Sequence, residues 1–182
     1  MIASTHLFLL LIISFIFISH AISLSPSPRS SPELYKIVCA DSGSKESEQK
    51  CLKLLETNPR ITSSKDYLTL CTLYLEMAIE EATKAQNYLK SLVKEYPSSE
   101  AIKKCANHNY NFFISEFRVA IPQLATKSDG ASWEATSAFW GPNHCDENLA
   151  REKLSVPSIS KLNDEMRFLC FIAGVATDHL TQ

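Results

Sequence analysis

Residues 68–92 read LTLCTLYLEMAIEEATKAQNYLKSL, and their apolar side chains recur at helical rather than strand spacing. The apolar positions advance by alternating steps of three and four residues: Leu68, Cys71, Leu75, Ala78, Ala82, Ala85, Leu89 and Leu92. A stripe of this period is typical of a helix that packs one face in a bundle. The small residues in its middle allow a neighbouring helix to approach closely. We therefore predict a long helix that begins at a Ser63 or Ser64 cap and ends before Pro97.

A second helix is predicted directly after Pro97, with Ser98 or Ser99 as its cap and a bend near its end at Pro122. Its apolar face comprises Ile102, Ala106, Phe113, Phe117, Ala120 and Leu124, and Asn109 lies on the same face. This face has the same helical period as the first segment, so the two helices are expected to pack in one bundle.

Two further helices complete the prediction. The third covers Ser132 to about Leu149 and is interrupted by Gly141 and Pro142. The fourth follows Pro157 and again alternates steps of three and four: Ile159, Leu162, Met166, Leu169, Ala173, Ala176 and Leu180. Four amphipathic segments of this length predict an all-α fold, an antiparallel up-down four-helix bundle.

The N-terminal region has the features of a secretory signal. Leu7 to Ile18 is apolar apart from one serine, is too short to span a membrane, and is followed by small residues suited to cleavage. We assign residues 1–23 to a signal peptide. Residues 24–32 are rich in serine and proline and are assigned to a flexible leader. The expected localisation is therefore secreted and extracellular.

Between Tyr35 and Leu55, two short amphipathic pieces flank the polar turn Asp41–Ser44, and Cys39 and Cys51 lie on opposite sides of it. This spacing fits a helical hairpin closed by one disulfide, which stabilises by about 3 kcal/mol in the chain-entropy model. The predicted domain 33–182 thus consists of a hairpin, 33–58, and a bundle, 62–182.

The other four cysteines are placed by bundle topology. Cys105 near the start of the second helix and Cys145 near the end of the third fall at the same end, so they are well placed to pair. Their loop of about 40 residues contributes about 4 kcal/mol in the same model. For Cys71 and Cys170 two states remain open, a third bridge or two buried, reduced thiols.

Composition excludes several classes of function. Eighteen basic and twenty acidic residues give a formal charge of −2, so no nucleic-acid partner is indicated. The four glycines form no phosphate-binding loop, and neither a Gly-x-Ser-x-Gly nor a His-Glu-x-x-His motif occurs. We expect a protein that is not an enzyme, has no cofactor and does not bind a membrane.

One set of four residues has the side-chain types of a metal site. Cys105, His108, His144 and Cys145 have the ligand types of a zinc site, but in an oxidising compartment a disulfide is favoured and no metal is expected. His179 is expected to lie in a fraying terminus. Large helix-spaced aromatic residues are expected in the core rather than in an exposed docking stripe: Phe112, Phe113, Phe117, Trp133, Phe139 and Trp140.

Three short motifs carry a family resemblance. Ala101–Cys105 (AIKKC), Thr136–Phe139 (TSAF) and Cys145–Glu147 (CDE), together with the cysteine layout, resemble the plant invertase and pectin methylesterase inhibitor family across the mature chain. The resemblance implies a helical hairpin on an antiparallel four-helix bundle. It also implies the bridges Cys39–Cys51 and Cys105–Cys145.

The chain departs from the family pattern in three places. The tyrosine that commonly follows the third framework cysteine by four residues is replaced by Asn109, and Tyr110 comes one residue later. Gly141 occupies the threonine position of the family's Ser-Ala-Ala-x-Thr run. The Pro-Lys-Phe element of many invertase inhibitors is replaced by Lys127–Trp133, which favours a pectin methylesterase target.

The resemblance implies a secreted inhibitor of pectin methylesterase in the plant cell wall and apoplast, monomeric when unbound. The alternatives are inhibition of an acid invertase, in the cell wall or vacuole, and a secreted binding module without inhibitory activity. Residues on the polar face of the second helix, together with one serine from the third, are the predicted partner-binding set: Lys104, Asn107, Asn111, Ser115, Arg118 and Ser137.

Overall fold

The computed structural model describes residues 33–180, where all regular structure is helical. The predicted signal peptide and leader lie outside the described residues. The elements are α1 Leu34–Ala40, α2 Lys45–Leu55, α3 Pro59–Thr62, α4 Tyr67–Glu95, α5 Glu100–Lys104, a π-helical turn Cys105–Asn109, α6 Tyr110–Gln123, α7 Ser128–Ser137, α8 Trp140–Arg151 and α9 Pro157–Asp178. In this part of the chain, no helix is long and apolar enough to cross a membrane.

Four antiparallel arms form the bundle: α4, the α5–π–α6 rod, the α7–α8 pair, and α9. Helix α4 packs against α6 and α9, and α7 packs against the same two helices, so the arms surround one core. Helices α1 and α2 pack against each other as an N-terminal hairpin. The prediction of an all-α four-helix bundle with an N-terminal disulfide-closed hairpin is confirmed.

Helix α4 contains the apolar stripe that the sequence predicts. All of its positions from Cys71 to Leu92 are buried, whereas Leu68, in the first turn, is 39% exposed. The predicted serine caps are wrong, because Asp66 caps the helix: its Oδ1 accepts a hydrogen bond of 2.7 Å from the backbone N–H of Thr69. A carboxylate also interacts favourably with the positive end of a helix dipole.

The second arm begins as expected, because the Ser99 hydroxyl accepts a hydrogen bond of 3.1 Å from the N–H of Ile102. The arm is not a uniform α-helix, however. At the π turn, the N–H of Tyr110 bonds to the carbonyl of Cys105, five residues earlier. Such a turn accommodates one more residue than an α-helical turn. Pro122 is the next-to-last residue of α6.

The third arm is interrupted, but three residues earlier than expected. Helix α7 ends at Ser137 and α8 begins at Trp140, so Pro142 lies in the first turn of α8, where a missing N–H costs little. Gly141 allows a close approach to the second arm. A Cβ atom built at this glycine would lie 2.7 Å from the carbonyl oxygen of Asn109 in the π turn.

A buried polar network joins three arms near the π turn. The Tyr110 hydroxyl donates to Asn163 Oδ1 at 2.8 Å, and Asn163 Nδ2 donates to Asp146 Oδ1 at 2.6 Å. Asp146 also pairs with Arg167 at 2.7 Å. Burial raises the pKa of Tyr110 well above its usual value, so its hydroxyl remains a donor. The network ties α6, α8 and α9 in one register.

Two disulfides are present among the described residues, Cys39–Cys51 in the hairpin and Cys105–Cys145 between the second and third arms. Their Cα atoms are 5.4 and 4.8 Å apart, within the usual range. Cys71 and Cys170 are buried free thiols, so the possible third bridge is not formed. Of the two states left open by the sequence, the structure shows the reduced one.

His179 does not behave as a frayed terminal residue. Its ring stacks on Tyr67 with centroids 4.6 Å apart, and its Nε2 lies 3.1 Å from Asp41 Oδ2. The imidazole is only 6% exposed. The expectation of fraying was wrong because His179 fills a space between the end of α9, the start of α4 and the hairpin.

Candidate protein-binding surface

The predicted polar residues of the second arm form one exposed row along its outer side. Lys104, Asn107, Asn111, Ser115 and Arg118 are all exposed, and at the α-helical rise the row is about 20 Å long. Ser137 lies at the end of α7 and is half-buried. The role of these six residues in binding stays a prediction.

Hydrogen bonds hold the middle of the row in place. Asn111 Oδ1 accepts a bond of 2.6 Å from Nε2 of the buried Gln86 on α4, and Gln86 Oε1 accepts from Lys90 Nζ at 3.2 Å. The side chains of Asn107 and Ser115 donate to carbonyls of their own arm, at 3.0 and 2.7 Å. Side chains that are already ordered lose less entropy when a partner binds.

The row carries a cation at each end, Lys104 and Arg118. Near Lys104, the carboxylate of Glu152 accepts hydrogen bonds from the Ser99 hydroxyl at 2.6 Å and from the N–H of Ala101 at 2.7 Å. These bonds lower the pKa of Glu152, which therefore stays ionised at the N-terminus of α5. The end of α8 is in this way attached to the start of the second arm.

An acidic pair connects the second and third arms. Partial burial raises the pKa of Glu116 on α6 to about 7, and the hydrogen bond to Glu134 on α7 and the repulsion from it add to the shift. The sequence could not show this pair, because it depends on the register of α6 against α7. Glu116 therefore loses its proton, and the pair gains a negative charge, as pH rises from mildly acidic to neutral.

The expectation that the large aromatic residues lie in the core is wrong for half of them. Phe113 and Phe117 are fully buried, but Trp133, Trp140 and Phe139 are 72%, 49% and 37% exposed. The buried residues of α7 and of the turn that follows it are alanines, at positions 131, 135 and 138. Because Trp133 lies midway between two of them, helical geometry places it on the opposite side.

The four residues with zinc-ligand side chains do lie together, but in a different chemical state. Cys105 and Cys145 form a disulfide and offer no thiolate, while His108 and His144 line a groove beside it. Between residues 33 and 180, no group of three or more histidine, cysteine or acidic side chains is arranged to hold a metal ion. The His144 ring stacks on Trp140, with centroids 5.6 Å apart.

Comparison with known proteins finds similarity only at the level of structure. No protein-family model matches the sequence, and no curated protein matches it. The chain is similar to a mutant form of a pectin methylesterase inhibitor from Arabidopsis, with a TM-score of 0.64 and 21% identity over 78% of this chain and 95% of that one. It is also similar to a pectin methylesterase inhibitor from Arabidopsis thaliana, with a TM-score of 0.57 and 21% identity over 84% and 99%. The fold is therefore shared with these proteins.

Proposed function

We propose that this chain is a secreted, non-catalytic inhibitor of pectin methylesterase. The observation that carries the proposal is the fold similarity to two pectin methylesterase inhibitors over nearly their whole length. The motifs around Cys105 and Cys145 resemble those of the combined family of invertase and pectin methylesterase inhibitors, and the replacement of the Pro-Lys-Phe element favours pectin methylesterase as the target. Two disulfides agree with an oxidising, extracellular compartment such as the cell wall.

In this proposal the exposed row of the second arm docks on the enzyme and blocks its active-site cleft. Inhibition of this kind needs no chemistry from the inhibitor, only a surface that keeps its shape. The disulfide Cys105–Cys145 and the hydrogen bond from Gln86 to Asn111 hold that surface, so little ordering remains to be done on binding. The unbound protein is proposed to be a monomer.

The test is an enzyme assay with the purified, oxidised protein. Methanol release from methylated pectin by pectin methylesterase is expected to fall with increasing inhibitor, while sucrose hydrolysis by an acid invertase is expected to be unchanged. Inhibition of the invertase alone would transfer the assignment to the other enzyme. An undiminished rate in both assays would reject an inhibitory function.

A further inference from the structure

A polar groove lies between the outer edge of α8 and the α5–π–α6 arm, beside the Cys105–Cys145 disulfide. It has a volume of about 430 Å³ and is lined by Lys104, His108, Asn109, His144, Asn148 and Arg151. The lining therefore combines two cations, two imidazoles and two amides, and none of these six side chains is a carboxylate. A lining of this kind complements an anionic ligand with many hydroxyl groups.

An exposed tryptophan lies next to the groove and stacks on one of its lining residues. Trp140 stacks on His144, and the series Trp140, His144, Asn148 and Arg151 follows one face of α8 for about 16 Å. Nearly half of the Trp140 surface is exposed, although a tryptophan gains more from burial than most other side chains. An aromatic face in this position is available to stack on a flat, apolar face of a ligand.

The charges around the groove leave its cations available. Arg151 pairs with Glu147 of the same helix at 3.1 Å, but both side chains are more than half exposed, and such a pair contributes little. Glu152 lies near Lys104, but its oxygens are occupied by Ser99 and Ala101 at the start of α5. Neither acid therefore competes strongly with the carboxylates of a ligand.

We propose that this groove binds an acidic oligosaccharide, a chain of sugars that carry carboxylates. In this arrangement the Trp140 ring stacks on one sugar, and Lys104 and Arg151 bind carboxylates. The Asn148 nitrogen already donates to Oδ1 of the buried Asn109 at 3.2 Å, so the Asn148 amide is held in place and its oxygen accepts a hydrogen bond from a sugar hydroxyl. A neutral oligosaccharide would leave the two cations without partners. The inference goes beyond inhibition, because only Lys104 belongs both to the groove and to the exposed row of the second arm.

The two tryptophans of the chain allow a direct test. Trp133→Phe leaves Trp140 as the only tryptophan, and Trp140→Phe leaves Trp133, which is outside the groove. On titration with tetragalacturonate, fluorescence of the Trp133→Phe variant is expected to change saturably, and that of Trp140→Phe is expected to stay constant. Circular dichroism verifies that both variants are folded.

Calorimetry provides a second measurement of binding, starting from the unmodified protein, and shows whether the ligand's carboxylates are recognised. Affinity is expected to fall about tenfold or more when Lys104 and Arg151 are both replaced by alanine, since each makes a charge-assisted bond. Fully methyl-esterified tetragalacturonate and cellotetraose are expected to bind more weakly than the acid. Absence of binding heat and of a fluorescence change, or equal affinity for the ester and the acid, would overturn the proposal. Enzyme inhibition is not measured here, so the outcome is independent of the proposed function.

Discussion

Cys71 and Cys170 are reduced thiols in a protein whose other cysteines within the described residues are bonded. The thiol of Cys71 donates to the carbonyl of Ala176 at 3.2 Å, and burial raises its pKa to about 12; burial raises the pKa of Cys170 further. Because the thiolate is the reactive form, a thiol reagent at pH 8 should modify neither residue in the native protein and both after unfolding in urea. Absorbance from Ellman's reagent measures the count. No reactive thiol in urea would indicate a third bridge, and two in the native state would contradict their burial.

Glu116 makes stability depend on pH. Its pKa of about 7 in the folded protein lies above the ordinary 4.5, so the folded state binds more protons between these values. The contribution of Glu116 to the free energy of unfolding should therefore be fully present below pH 4.5 and be lost as pH rises through about 7. Glu116→Gln, which resembles the protonated acid, should remove this decline and stabilise by about 1 kcal/mol at pH 7.5 after allowance for solvent screening. Urea unfolding from pH 4.5 to 7.5 measures the effect, with the exposed Glu76→Gln as control. An unchanged slope in Glu116→Gln would refute the role of this residue.

At the scale of elements, the contact between α8 and the π turn depends on Gly141. A methyl group there would lie 2.7 Å from the Asn109 carbonyl and 2.8 Å from Phe113 Cβ, both fixed in the packed core, so α8 would have to move. Gly141→Ala should therefore lower the free energy of unfolding by about 2 kcal/mol, as overpacking does. Gly130→Ala is the matched control, because its methyl group would clash only with the far end of the flexible Gln123 side chain and make an ordinary contact with Lys127 Cβ at 3.6 Å. Thermal unfolding compares the two variants, and equal melting temperatures would contradict the prediction.

The exposed row of the second arm is tested by a paired substitution. Asn111→Ala with Arg118→Ala removes an amide and a cation seven residues apart, and inhibition of pectin methylesterase should weaken about tenfold or more if both side chains contact the enzyme. Asn87→Ala with Lys94→Ala on α4 likewise removes one amide and one cation seven residues apart, from exposed positions outside the row. Inhibition constants from methanol release measure both effects. Equal losses in the two double variants, or none, would remove the row from the interface.

For the whole molecule, periodicity was enough to predict the arms, because burial of one helix face requires a regular apolar repeat. The π turn was not predictable from the sequence. It holds one more residue than an α-helical turn, which changes the register of the helix after it but leaves no mark in the composition. In this turn the N–H of Tyr110 bonds to the carbonyl of Cys105, five residues earlier, and the Tyr110 hydroxyl bonds to Asn163. The exposed row was found by its spacing on one helix. The Glu116–Glu134 pair and the groove beside Trp140 depend on contacts between arms, which no local pattern contains.

The two disulfides should contribute unequally to the stability of the whole molecule. In the chain-entropy model, the stabilisation grows with the loop that is closed: Cys39–Cys51 separates its cysteines by 12 residues and Cys105–Cys145 by 40. Replacing both cysteines of a pair by alanine should lower the free energy of unfolding by about 3 kcal/mol for Cys39–Cys51 and by about 4 kcal/mol for Cys105–Cys145. Loss of Cys105–Cys145 should also destabilise more of the structure, because this disulfide joins two arms of the bundle, whereas Cys39–Cys51 lies within the hairpin. Urea unfolding followed by circular dichroism gives the ranking, with Cys71→Ala as a control for loss of a buried sulfur alone. A greater loss from the hairpin pair would mean that the hairpin, rather than the two bridged arms, limits stability.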